Sequence, residues 1–178
     1  HEAGFVYVDA NASWTDVVDG SGTLLATGEV NASEPGTYEL AYHYTDEAGN
    51  EADAVIRTVH VINLAPDDLV FYSDSNLSVY ENEPGGTWIA DFEGLDENPG
   101  SALTYHLMGV MDANLTLSQD SNISAENTDV AIEDVFDLDT NGSLTAVRPL
   151  DYETDPIAFE ILIRATDQHG AYFEKPFL

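Results

Sequence analysis

Glu81 lies in Val79-Tyr80-Glu81-Asn82-Glu83-Pro84, and Asp151 and Glu153 lie in Pro149-Leu150-Asp151-Tyr152-Glu153. Both acidic clusters sit at the ends of predicted strands. Carboxylates of this kind are hard oxygen ligands and suit calcium, which takes about 6–8 oxygens at about 2.3–2.6 Å. Asp151 and Glu153 are two residues apart, so on an extended chain they point the same way. Glu81, also at a strand end, can converge on them. Three carboxylates packed together repel and raise one another's pKa unless a cation sits among them. The competing reading is a solvated acidic loop, because a chain with 34 Asp and Glu must cluster some of them by chance.

Other candidate chemistry is weaker. Asp137-x-Asp139-x-Asn141-Gly142 imitates the opening of an EF-hand loop, but the twelfth position, which needs a bidentate acid, is Arg148. The flanks read as strands, so a hairpin is the better assignment. Asn-x-Ser/Thr triplets begin at Asn11, Asn31, Asn76, Asn114, Asn122 and Asn141 and read as coincidence in an Asn- and Ser-rich surface protein. The histidines, His1, His43, His60, His106 and His169, form no close ligand pair. No Ser-His-Asp constellation on a strained nucleophile turn is visible. Paired carboxylates could serve a hydrolase, but nothing marks a cleft of converging polar and aromatic loops. The chain reads as non-catalytic.

The elements that must position these acids have a period of two. In Thr37–Asp46, Tyr38, Leu40, Tyr42 and Tyr44 alternate with Glu39, Ala41, His43 and Thr45. Phe159, Ile161, Ile163 and Ala165 alternate likewise, as do Leu103, Tyr105 and Leu107. Such alternation predicts half-buried antiparallel strands. Glu47-Ala48-Gly49-Asn50 and Asn141-Gly142 mark turns, the latter a hairpin between 135–138 and 143–147. Many short strands at such spacing imply β-sandwiches. Ile62-Asn63-Leu64-Ala65-Pro66-Asp67 marks a boundary, giving domains at 1–63 and 64–178. The acidic, weakly patterned stretch at about 112–133 reads as an insertion.

Composition narrows the partners. The 178 residues carry a formal charge of −30 with only 4 Lys and Arg, so no basic patch exists to meet nucleic acid or an anionic membrane. At 43% hydrophobic residues a core is expected, and the acids belong to surface or ligands. With no cysteine, disulfides and Cys-based zinc sites are excluded. No apolar run of about 18 residues is present to cross a bilayer as a helix. The chain reads as an excised piece of a longer protein.

Residues 3–62 resemble a bacterial Ig-like surface repeat. The resemblance rests on Trp14-Thr15-Asp16, Asp19-Gly20, Pro35-Gly36-Thr37-Tyr38, Tyr44-Thr45-Asp46-Glu47-Ala48-Gly49-Asn50 and Arg57-Thr58-Val59-His60-Val61. It implies a spacer with no chemistry, a corner tyrosine at Tyr38, and a missing first strand that leaves an open edge. Residues 69–178 resemble a bacterial cadherin repeat. The resemblance rests on Leu77-Ser78-Val79-Tyr80-Glu81-Asn82, Gly86-Thr87, Leu103-Thr104-Tyr105-His106-Leu107, Val135-Phe136-Asp137-Leu138-Asp139, Gly142-Ser143-Leu144, Leu150-Asp151-Tyr152-Glu153 and Ala165-Thr166-Asp167. It implies a carboxyl-end calcium set of Glu81, Asp151 and Glu153. It also implies an amino-end set of Asp96, Asn98 and Asp167 with Asn63 from the linker, Asp91 and Glu93 being nearby alternatives. Asn98 replaces an Asp of the family pattern, and the linker lacks the family's acids. A similar layout of Asp46 with Asp16 or Asp19 in the first half could hold calcium or only shape a turn.

The expected fold is therefore all-β, two tandem Ig-like or Greek-key sandwiches, the second cadherin-like. The expected role is an extracellular, calcium-stabilised segment of a large bacterial surface or adhesion protein. Its expected partners are calcium, neighbouring repeats and a cell-surface glycan or protein. A carbohydrate- or peptide-binding module using the 112–133 insertion, with Trp88 or Tyr105 as stacking surface, is the alternative. A non-catalytic accessory of a secreted hydrolase is the third reading.

Overall fold

A computed structural model describes residues 1–113 and 134–178. The expected insertion at 112–133 therefore lies, from residue 114 onward, outside the described residues. Every named element is a strand, as the period-two patterning requires. Among the described residues no helix is long and apolar enough to cross a membrane. The chain divides into two compact units, His1–Leu64 with Asn98–Gly100, and Ala65–Glu97 with Ser101–Leu178.

In the first unit, β1 (Ala12–Asp16) and β2 (Gly20–Leu24) form one antiparallel pair, and β3 (Gly36–Tyr42) and β4 (Val55–Val61) another. Alternation places Tyr38, Leu40 and Tyr42 inward and Thr37 and Glu39 outward. The strand expected to run to Asp46 stops at Tyr42, because the chain then folds back: Ala52 N–H donates to Tyr44 O at 2.9 Å and Thr45 bridges Glu51. Tyr44 stacks on Trp14 with ring centroids 4.0 Å apart. Tyr38 OH donates to Glu34 O at 2.9 Å, the corner hydrogen bond that the sequence implied. The fully buried core is small, centred on Leu40, Tyr42 and Val59. A polar network supplements it. Asp9 accepts from Tyr42 OH at 2.8 Å, Tyr7 OH at 3.1 Å, Asn11 N–H at 2.7 Å and the Arg57 guanidinium.

The second unit holds two sheets. One has the order β5 (Asp68–Tyr72), β6 (Trp88–Leu95), β9 (Ser143–Ala146), β8 (Phe136–Leu138). The other has the order β11 (Tyr172–Phe177), β10 (Phe159–Thr166), β7 (Thr104–Asp112). Ile89, Ala90, Phe92 and Leu144 from the first sheet pack with Tyr105, Val110, Ile161, Ile163 and Ala165 from the second. Phe71, Phe92 and Phe177 close one side with edge-on ring contacts. The expected alternation of β10 is met residue for residue. That of Leu103, Tyr105 and Leu107 is met too, but beyond Leu107 the face of β7 changes, because its pairing with β10 slips at Leu162/Ile163, where Gly109 and Leu107 face them and Met108 is extra. The inward face therefore passes from Tyr105 to Val110, an even-numbered position.

One turn recurs. In Asp46–Asn50, Asp139–Ser143 and Asp167–Ala171, the first aspartate's carbonyl accepts the N–H of the glycine three residues on, at 3.1, 3.0 and 3.1 Å. Its Oδ1 accepts the N–H of the fifth residue, at 2.6, 2.9 and 3.0 Å. The glycines adopt φ of 90, 97 and 87°, the left-handed geometry of a three-residue hairpin loop. The EF-hand imitation is thus a β8–β9 hairpin.

Candidate metal centre

Glu81, Asp151 and Glu153 converge, with one carboxylate oxygen from each lying within 4.8 Å of the others. Among the described residues no other trio of His, Asp or Glu gathers so closely. The route to this convergence differs from the expected one. Glu81 does not end a strand, because residues 73–87 carry no named element. Leu77 and Val79 nevertheless pack on the core and hold the segment down. Asn82, at φ 61°, then turns the chain, and its N–H donates to Leu150 O at 2.8 Å, tying the two acidic segments together.

Asp151 and Glu153 are not on an extended strand either. Thr154 N–H and Asp155 N–H both donate to Asp151 O, at 3.1 and 2.8 Å, so 151–155 is a single tight turn. Glu153 N–H donates to Asp151 Oδ1 at 3.0 Å, an Asx-type turn that brings the two side chains together. Tyr152 N–H points to Glu81 Oε2 at 3.4 Å. Asp155 anchors the turn by accepting Asp151 N–H at 2.8 Å. Arg148 in turn grips Asp155 with two hydrogen bonds of 2.9 and 2.6 Å.

The electrostatics show the strain of crowding. The Glu153 carboxyl is pushed above its ordinary value, first by its hydrogen bond with Asp151 and then by the Glu81 charge. The Asp155 carboxyl is held below its ordinary value, chiefly by the Arg148 hydrogen bond. No lysine or arginine is left to neutralise the trio. The chain has 4, and they pair as Arg57–Asp9, Arg148–Asp155, Arg164–Glu174 and Lys175–Asp68. An all-oxygen set of three carboxylates fits a calcium ion and lacks the nitrogen or sulfur that zinc prefers.

The other expected ligands are not members of this trio. Asp167, 5% exposed, spends Oδ1 on His169 N–H at 2.8 Å and Ala171 N–H at 3.0 Å. Asn98, 3% exposed, donates to Ala3 O at 3.0 Å and accepts Leu64 N–H at 2.7 Å, fastening backbone within the first unit. Asn63 belongs to that unit as well, and Asp96 and Asp167 to the second. Asp91 accepts Trp88 Nε1–H, and Glu93 accepts Tyr72 OH, both at 2.9 Å. In the first unit Asp16 caps Val18 and Asp19 N–H groups, Asp19 caps Glu47 N–H, and Asp46 shapes its turn. Trp88 is 40% exposed, but Tyr105 is only 6% exposed and its hydroxyl receives Gly94 N–H at 2.8 Å, so Tyr105 is no stacking surface. The Asp9 network went unforeseen. Its signal was an acid in the apolar run Phe5-Val6-Tyr7-Val8-Asp9 of a chain with few cations to meet it.

Residues 2–61 match the model of a family described as a bacterial surface protein, Ig-like domain. That segment is Ig-like. No curated protein matches the chain. Solved structures similar to it are cadherin domains. The human protocadherin-24 EC1-2 structure is 19% identical, with a TM-score of 0.39, over 80% of this chain and 61% of that one. The mouse protocadherin-24 EC1-3 structure is 14% identical, with a TM-score of 0.43, over 97% and 50%. Domains 3–6 of protocadherin gamma B2 are 19% identical, with a TM-score of 0.43, over 79% and 31%. The chain thus spans less than two thirds of each.

Proposed function

We propose that this chain is a non-catalytic extracellular segment of a bacterial surface protein, an adhesion-type repeat pair stabilised by calcium at Glu81, Asp151 and Glu153. The observation that carries the reading is the convergence of these three carboxylates within 4.8 Å, with every Lys and Arg engaged elsewhere. The Ig-like match at residues 2–61 supports a surface location. Calcium would bridge the 77–82 segment to the 151–155 turn, replacing repulsion with attraction. Water would supply the remaining oxygens that calcium takes. We propose the trio alone as the stabilising site, since Asn98 and Asp167 already serve backbone N–H groups. Neighbouring repeats of the same chain and a cell-surface glycan or protein are the proposed partners.

Free calcium at a hundred times its dissociation constant adds about 2.7 kcal/mol, against a typical net stability of about 5–15 kcal/mol. Thermal unfolding in millimolar calcium tests this, with magnesium at matched ionic strength as control. The melting temperature should rise with calcium and fall back with chelator. The paired change Glu81→Gln with Asp151→Asn should abolish the response. A shift no larger than magnesium's, or one retained by the double variant, overturns the assignment.

A further inference from the structure

Next to the trio the second unit is open to its core. The described residues leave a cavity of about 320 Å³, at the low end of the roughly 300–1,000 Å³ typical of small-molecule sites. One wall comes from 76–81 and the other from 150–158. The floor is apolar, made by Ile89, Phe136, Leu144 and Ile161, all otherwise sealed in the core. Glu81 and Asp151 stand in the lining, whereas Asp155, also there, is taken up by Arg148. No Lys or Arg lines the cavity.

We propose that this cleft binds a small amphiphile whose apolar body enters between the sheets and whose protonated amine or guanidinium head pairs with Glu81 and Asp151. The floor removes the body from water, which is the main favourable contribution for such a pocket. A single cationic head meets two carboxylates that have no cation of the protein's own. Anionic heads are opposed twice, by the same carboxylates and by the chain's formal charge of −30, which enriches cations near the surface and depletes anions. The inference does not require calcium. Because Glu81 and Asp151 belong to both sites, it predicts that ion and amine compete.

The test uses the 178-residue chain in chelator, titrated with tryptamine and, in parallel, with indole-3-acetate, which has a similar ring and the opposite charge. Amide NMR shifts and calorimetry are the readouts. Tryptamine should bind saturably and shift amides in 76–81 and 150–158, and indole-3-acetate should not. Glu81→Gln should weaken tryptamine about three- to tenfold, the loss of one charged partner. Ala158→Phe, which fills the cavity from a half-buried lining position, should remove the binding while the melting temperature stays near wild type. Equal binding of both ligands overturns the charge argument. Tryptamine binding that survives Ala158→Phe in a folded variant places the ligand on the acidic surface instead and overturns the cavity.

Discussion

Glu153 shows how crowding becomes a measurable property. Its carboxyl is raised above the ordinary 4.5 by Asp151 and Glu81. A raised acid favours folding in its protonated form. That contribution is complete below the unfolded-state pKa and is lost as pH climbs through the folded-state value. Without calcium, stability should therefore fall across that window as pH rises. Glu153→Gln should flatten the fall and raise the melting temperature at neutral pH in chelator. In calcium the same substitution removes a ligand and should lower it relative to wild type. Urea unfolding of both proteins across the carboxylate pH range, with and without calcium, reads the inversion, and one sign in both conditions refutes the trio as an ion site. Asp155 works in the opposite sense. Held low by Arg148, it stabilises above its unfolded-state pKa, and that stability is lost as pH falls through the folded-state value. Because Asp155 also fixes Asp151 N–H, Asp155→Asn should weaken calcium binding although it is not a ligand, which calorimetric titration would detect. Residue type alone does not single out three acids among 34; their two short motifs and the resemblance to a cadherin repeat did. How they meet was not readable, because a one-turn reversal at 151–155 depends on Asx-type and Arg148–Asp155 bonds that the two-residue spacing does not reveal.

The strands were legible in the sequence from their alternation, in β10 throughout and in β3 up to Tyr42, beyond which the pattern continues but the chain folds back. In β7 it holds through Leu107 and gives no guide beyond, because one extra residue at Met108 reverses which face is inward and an unpaired sequence carries no mark of its partner's register. Turns carried their own signature. In all three Asp-x-x-Gly-x loops, aspartate supplies the acceptor and glycine the left-handed backbone. This shared geometry has unequal consequences for substitution. At Gly170 an added Cβ meets nothing within 4 Å, whereas at Gly142 it lies 2.5 Å from Phe92 O, a backbone atom of β6. Gly170→Ala should cost about 1–2 kcal/mol, the left-handed penalty alone. Gly142→Ala should cost distinctly more, since β6 or the β8–β9 loop must shift. Chemical denaturation of the two variants gives the comparison, and equal losses would mean that the loop yields without disturbing β6.

At the scale of the molecule the dominant fact is a charge of −30 on 178 residues. Self-repulsion on this scale loosens the compact state, and its range is set by salt, with a Debye length of about 30 Å at 0.01 M and about 8 Å at 0.15 M. Two effects of added ions must therefore be separated. Sodium chloride should raise the melting temperature progressively and then level off as screening becomes short-ranged. Calcium should screen as well, but at matched ionic strength it should add an increment that saturates with occupancy of one site. The Glu81→Gln, Asp151→Asn variant removes two negative charges from a strongly negative surface, so its response to sodium chloride should stay close to wild type. Its calcium increment should vanish. If the variant lost both responses together, general screening would account for all of the calcium effect. If it kept both, the ion would be stabilising the chain somewhere other than between the 77–82 segment and the 151–155 turn.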